Sequence, residues 1–384
     1  MRSGRKTSAL AHFLVPGVLV LAPAPAAAQI EFSGQVDLLA MVGRDSLDLN
    51  ANFRQDNPFH PVRVRLFARS WVTENIGVFT EFLYDVDASP RINGAYAVIN
   101  ELAGQPWLNS RLGLAPSLIG SFSLRGTYFN SNPLVGVPLL WHFRTNLDGE
   151  GTSTAAQLLA SGGEPGIGVP FLYDGCWNIQ WELFGEFGIF QYSVGITPGS
   201  ISNPVKSRFV SGSQVLARVG VAPFSGFRIG VSGGHGPYLS EPVPGSDGQL
   251  PYAADPGDYD QSVIGVDLEY ANGGWLFFSE VFAGRWETPL VTDALEAIAG
   301  YVEGRFDFLP GWYVAGRAGG MVFGDISSPT GDRAAWDNTT YRTEFALGYR
   351  VSRQVLAKAD WQRTMFDGAF PAQNHFALQL TTAF

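Results

Sequence analysis

The sequence predicts an all-β protein, a transmembrane antiparallel up-and-down β-barrel of about 16 strands, with 14 or 18 as alternatives. Three observations lead there. The final ten residues, HFALQLTTAF, alternate strictly: Phe376, Leu378, Leu380, Thr382 and Phe384 share one face, and His375, Ala377, Gln379, Thr381 and Ala383 share the other. Such a strand fits lipid on one side and water on the other. Second, 46% of the chain is hydrophobic and 13% aromatic, yet no stretch after residue 28 approaches the roughly 20 apolar residues of a spanning helix. Third, 46 Gly, 24 Pro and only 16% charged residues suit twisted strands joined by turns better than helices.

Taken in chain order, the first element is a leader. Arg2, Arg5 and Lys6 precede an apolar run and the small residues Ala26, Ala27 and Ala28, the pattern of a signal peptide over 1–28. The barrel is then expected over 29–384, bearing 22 basic against 35 acidic residues. Alternating runs follow at 30–42, 62–72, 77–85, 107–114, 121–129, 177–187, 190–196 and 211–221. They continue at 227–232, 263–270, 274–284, 299–308, 312–322, 341–351, 355–362 and 375–384. A weaker run at 95–100 makes a seventeenth. Bacterial single-chain barrels have even strand counts, so one of these runs is expected to lie elsewhere.

Connections alternate between tight turns (222–226, 309–311, 352–354) and longer segments (233–262, 325–338, 366–374). The longest, about 130–176, contains NPLVGVPLLWHF and is too apolar for an exposed loop. It is expected either to fold into the barrel as a constriction loop or to pack over the rim or against a neighbouring subunit. Cys176, the single cysteine, reads as a lone thiol in that loop. Trp71, Trp107, Trp177, Trp181, Trp275, Trp312 and Trp361 fall on or near strand ends, where rings bridge headgroups and hydrocarbon.

If the apolar set of each strand faces lipid, the intervening set faces the lumen. In VRVRLFARSWV this puts Val62, Val64, Leu66 and Ala68 outside and Arg63, Arg65 and Arg69 inside, with Glu81 and Asp85 on the next strand. The same rule turns Arg111, Arg125, Arg218, Glu303, Arg305, Arg342 and Glu344 inward. Two readings remain open for these residues. They line a hydrated pore and set a transverse field across it, or they pair across strands and support the wall.

The stretch from Val62 to Arg125, with RVRLFAR, FTEFLYD, GAYAVI and RLGLAPSLIGSF in succession, resembles the phosphate-selective porin O and P family and related porin-like barrels. The resemblance implies a passive outer-membrane channel, often trimeric, with an arginine ladder that corresponds here to Arg63, Arg65 and Arg69. The chain departs from phosphate-specialised members in its two lysines after residue 28, Lys206 and Lys358, and in its acidic balance.

The expected function is therefore a porin, a water-filled channel for small hydrophilic solutes and ions in the bacterial outer membrane. The alternatives are an anion- or phosphate-selective channel using the Arg63, Arg65 and Arg69 ladder, an outer-membrane hydrolase, or a structural barrel. A hydrolase needs a base beside a nucleophile, and His235, shortly after Ser232, is the histidine to test. No enzyme activity, cofactor, metal or nucleic acid is expected. Expected partners are outer-membrane lipid and lipopolysaccharide, small solutes and ions, the insertion machinery through the strand ending at Phe384, and further copies in a homotrimer.

Overall fold

The structure, a computed structural model, describes residues 29–42, 50, 57–86, 89–127, 131–160, 168–173, 177–203, 212–240, 255–368 and 370–384. The leader expected over 1–28 and Cys176 lie outside the described residues.

The first half of the chain supplies β1 (Ile30–Val42), β2 (Val62–Trp71), β3 (Ile76–Asp85), β4 (Arg91–Ile99), β5 (Asn109–Pro116), β6 (Trp177–Phe187), β7 (Phe190–Thr197), β8 (Gln214–Phe224) and β9 (Phe227–Pro237). The second half supplies β10 (Asp260–Asn272), β11 (Trp275–Thr288), β12 (Val291–Leu309), β13 (Trp312–Phe323), β14 (Asp325–Ser327), β15 (Arg333–Ala335), β16 (Thr340–Arg350), β17 (Val355–Phe366) and β18 (Gln373–Ala383). Sixteen of these close a barrel in which each strand pairs antiparallel with its chain neighbour, while β14 and β15 form a separate hairpin between β13 and β16. Between β5 and β6 lie three short helices, α1 (Phe122–Thr127), α2 (Leu139–His142) and α3 (Ala155–Ala160).

Closure depends on the terminal strand. β18 pairs with β1 from Gln35↔Ala383 to Val42↔Phe376, and Gly34 and Phe384 exchange backbone hydrogen bonds of 2.8 and 3.0 Å. Both edges are thus paired, as a span through hydrocarbon requires. The face rule holds around the ring. Phe32, Leu66, Phe82, Leu112, Val219, Ile264, Ile298, Phe345 and Leu378 are exposed on the outer face. Gln35, Asp37, Arg65, Glu81, Asp267, Glu303, Glu344 and Thr381 are buried on the inner one. Lipid covering each large outward side chain contributes about 1.5–3 kcal/mol. Trp275 stacks on Phe306 at 4.3 Å and Trp312 on Tyr349 at 4.4 Å beside the turns at 273–274 and 310–311.

The count of 16 holds, but one member of the expected set does not. Of the run expected at 121–129, Phe122–Thr127 forms α1 and no barrel strand, and the weak run at 95–100 falls in β4, Arg91–Ile99, which takes its place in the barrel. The reason is packing. Phe122 is 1% exposed and joins a buried cluster with Trp141 and Tyr301, so its apolar side chain serves the interior and not lipid. The long connection accordingly begins after Pro116, well before 130.

Two-residue turns join β6 to β7, β8 to β9, β10 to β11 and β12 to β13 at one end. The strand ends that 43–61, 117–176, 198–213 and 238–259 join lie at the other end, where β11 and β12 are linked by 289–290 alone. Short turns conventionally face the periplasm and long loops the exterior.

Candidate functional site: the loop-lined lumen

The long connection turns inward, and its segment from Asn132 to Phe143 meets the inner wall. Its anchors are polar and charged strand side chains whose partners are loop backbone and side-chain atoms. Glu280 on β11 accepts from Ser121 N at 2.5 Å, Phe122 N at 3.0 Å and Trp141 Nε1 at 2.7 Å. Glu344 on β16 accepts from Gly136 N at 2.8 Å, and Asp360 on β17 from Val135 N at 3.0 Å. Lys358 Nζ donates to the carbonyls of Asn132 and Leu134 at 2.8 and 3.0 Å. Tyr313 on β13 donates to Pro133 O at 2.9 Å. Arg342 donates to His142 Nε2 at 2.9 Å, which leaves the His142 proton on Nδ1, 3.2 Å from Pro138 O.

An ion-pair chain supports these anchors. Arg125 on α1 lies 2.7 Å from Glu303, Glu303 lies 2.9 Å from Arg317, and Arg317 lies 3.2 Å from Glu344. Arg317 also donates to Gly136 O and Asn132 Oδ1, both at 3.2 Å. Glu280, Glu303 and Glu344 are 0% exposed. Charges this dry need compensation: Glu303 and Glu344 are ion-paired, and Glu280 accepts hydrogen bonds from three loop groups, so loop and wall stabilise each other. Two glycines permit the approach. A Cβ at Gly136 would lie 2.6 Å from Glu344 Oε1, and one at Gly120, whose φ is +66°, would lie 2.6 Å from Glu280 Oε1.

The residues picked out by strand parity fall in five settings. Arg125, Glu303, Arg342 and Glu344 lie in this clamp, and Arg125 reaches it from a helix, not from the expected strand. Arg63, Arg65, Glu81 and Asp85 form a second cluster on β2 and β3. There Arg63 lies 2.7 Å from Asp85, which also takes Arg91 at 3.3 Å, and Arg65 lies 2.6 Å from Glu81, which also accepts from Asn93 at 3.1 Å. Arg69 is set apart, near the turn end, exposed and 2.5 Å from Glu31. Arg111 lies 3.4 Å from Glu182, and Arg218 holds Asp267 with two bonds, of 3.1 and 2.6 Å. Arg305 pairs with Asp307 at 2.7 Å and lies over the Tyr313 ring at 4.3 Å.

Of the two readings left open for the inward charges, support of the wall applies along β11–β18: toward the loop end and mid-barrel, these charges are covered by loop atoms. Along β5–β8 the inner wall is less covered. There a cavity of about 430 Å³ is lined by Asn109, Glu182, Phe184, Glu186, Gln191, Ser193 and Arg218, with Pro106, Gly185 and Tyr192 at its margin. Reading strand parity alone misses Trp141, Gly136 and Asn132 as wall partners, although the apolar NPLVGVPLLWHF segment marks the place.

His235 lies on the outer face. Its Nδ1 is 2.9 Å from Ser262 Oγ, its opposed partner on β10, and its Nε2 is 3.5 Å from Asp260.

No protein-family model and no curated protein matches the chain. Solved structures do. OmpT, an outer membrane protein of Vibrio cholerae in its trimer form, is 11% identical and superposes with a TM-score of 0.58 over 94% of this chain and all of that one. The outer membrane channel DcaP of Acinetobacter baumannii is 15% identical, with a TM-score of 0.58 over 93% of this chain and 97% of that one. The anion-selective porin from Comamonas acidovorans is 10% identical, with the same TM-score over 93% of this chain and all of that one. At these identities the likeness is one of fold: the chain has the 16-stranded transmembrane barrel architecture of outer-membrane porins.

Proposed function

We propose that the protein is a passive outer-membrane channel for small hydrophilic solutes and ions, with 117–176 acting as a constriction loop and 1–28 as a cleaved signal peptide. The observation that carries this reading is the loop held against the charged inner wall of β11–β18 while the wall along β5–β8 keeps a polar cavity. A barrel with only a structural task has no use for a long segment held inside it by so many buried charges. The passage runs along the β2–β8 side, where Arg63, Arg111 and Arg218 serve as pore-lining residues, while Arg65, Glu81 and Asp85, at 8%, 0% and 0% exposure, support the wall behind it.

Selectivity for phosphate is not favoured. Each arginine of the 63, 65 and 69 row faces a carboxylate within 2.7 Å, so the row carries little uncompensated positive charge with which to strip an anion of its water. A weak charge preference fits the paired lumen better. The folds compared include a trimer, and this chain is proposed to assemble in the same way.

The test is conductance in planar bilayers with a reversal potential in a salt gradient. Well-folded protein that passes no current would sink the channel reading. Arg111→Glu should shift the reversal potential toward cations, and an unchanged potential would remove Arg111 from the conducting path.

A second reading has one observation in its favour, the Ser262, His235 and Asp260 trio on the outer face. Nucleophile, base and orienting carboxylate are the parts of an ester hydrolase. Lipid-ester hydrolysis by the refolded protein, abolished in His235→Ala, would establish it.

A further inference from the structure

We infer that the cavity on the β5–β8 wall is a binding site for neutral sugars, so that the channel retains a polyhydroxylated solute before releasing it. The inference rests on the channel reading for its consequence, but its chemistry stands on the cavity alone.

The cavity volume, about 430 Å³, falls within the roughly 300–1,000 Å³ typical of small-molecule sites. Glu182 and Arg218 are already engaged in ion pairs. Glu182 faces Arg111 at 3.4 Å, and Arg218 is taken up by both oxygens of Asp267. Glu186 accepts from the neutral amide of Gln191 at 2.8 Å. The two ion pairs present little net charge to an incoming ion, and Glu186 keeps a single negative charge as an acceptor. They leave fixed carboxylate, amide and hydroxyl groups at short range, and such groups exchange hydrogen bonds with a hydroxyl-rich solute.

The apolar half of the recognition is also present. Phe184 borders the cavity, and the Arg111 guanidinium lies over its ring at 4.9 Å and over Tyr96 at 5.3 Å. Tyr96 stacks on Phe79 at 5.0 Å, and Phe79 contacts Phe67 at 6.2 Å. Strand parity puts all four rings on the inner face of β2, β3, β4 and β6. An inward aromatic strip thus leads across the wall to the cavity. A pyranose has a face of C–H groups that lies on an aromatic ring and an edge of hydroxyls for polar partners, and this wall offers both. An inorganic ion uses only the polar part, and a hydrocarbon only the rings.

The experiment is calorimetric titration of the detergent-purified full-length chain with sucrose, paired with sucrose-dependent current block in bilayers. L-arginine serves as a cationic comparator in both. Saturable sucrose binding is expected, weakened roughly tenfold by Phe184→Ala, the effect of losing one aromatic platform, and restored by Phe184→Trp. Glu186→Gln, at an exposed position, keeps the fold intact and should weaken sucrose by removing an acceptor. Absence of sucrose binding, binding indifferent to both Phe184→Ala and Glu186→Gln, or preferential binding of L-arginine would overturn the inference. The two readings fail separately. Normal conductance without sugar binding removes the site and leaves the channel, whereas Phe184-dependent binding in a protein that passes no current removes the channel and leaves the site.

Discussion

The two sides of the inner wall use the same chemistry differently. On β11–β18, carboxylates and cations are dry and end on loop atoms: Glu280 binds three donors of the 117–176 connection, and Lys358 caps two of its carbonyls. On β2–β8, the charges pair with one another across neighbouring strands, as in Arg63 with Asp85 and Arg111 with Glu182, leaving room at the wall. The difference teaches that an inward charge on a barrel strand is a fastening where something covers it and a lining where nothing does. Strand alternation alone does not distinguish these roles.

The strongest way to break the contrast is to release the loop. Glu280→Ala leaves Ser121 N, Phe122 N and Trp141 Nε1 without their shared acceptor. Hydrogen bonds to a charged group contribute about 1.5–3 kcal/mol each, so docking should be lost at this anchor while Glu344, Asp360 and Lys358 still hold the 132–136 segment. The expected outcome is a larger single-channel conductance together with a lower melting temperature, and Glu280→Gln should give a smaller change in the same direction. Unchanged conductance would mean that the anchored segment does not limit the passage.

A steric version acts at one contact. Gly136→Val puts side-chain atoms where Glu344 Oε1 and Gln362 Nε2 already lie 2.6 and 2.7 Å from a Cβ. Overpacking of this kind costs about 1–3 kcal/mol. Conductance should rise less than in Glu280→Ala, and protease should cut the loop faster, read by gel after timed digestion.

Much of this contrast was legible in the sequence, and the rest was hidden for definite reasons. Alternation gave the barrel, its closure through Phe384 and the inward parity of Arg63, Arg65 and Glu81, because a period of two under a lipid constraint has one solution. It failed at 121–129, where the Phe122 and Arg125 pattern also suits a short helix with one apolar side. Only the tertiary partners Tyr301 and Glu303 distinguish the two. The segment NPLVGVPLLWHF signalled burial by its composition. Its partners, Glu344, Lys358 and Asp360, lie more than 200 residues away and left no local trace.

Acidity should act on the loop rim more gently. Asp337, between β15 and β16, accepts from Asn146 N at 2.8 Å, Asn146 Nδ2 at 3.1 Å and Asn338 N at 2.6 Å, tying the long connection to a second loop. Burial pushes its carboxyl up to about 7, and the two backbone donors offset only part of that. A carboxyl with a raised folded-state pKa favours the docked form when protonated. That advantage declines as pH rises from the ordinary carboxylate range through about 7, and levels off above it. The rim should therefore be firmer at pH 5 than at pH 8, read as slower protease cutting or fewer current flickers. Asp337→Asn should flatten that difference, and a pH response that survives the change would assign it to another group.

The smallest effect is expected at Arg69, and its smallness sharpens the comparison. Arg69 shares a strand and a face with Arg63 and Arg65, so sequence makes the three equivalent. Its partner Glu31 is 2.5 Å away, but both side chains are more than half exposed, against 12% for Arg63 and 9% for Arg65. Water already solvates both ions, and an exposed pair contributes only about 0–1 kcal/mol. Arg69→Ala should leave the melting temperature nearly unchanged. Arg65→Ala strands the carboxylate of Glu81, which is 0% exposed, and a buried pair broken on one side costs about 3–5 kcal/mol. Thermal unfolding of the two variants side by side measures the difference. Equal losses would mean that cover, and not position along the strand, has been misjudged as the quantity separating lining from fastening.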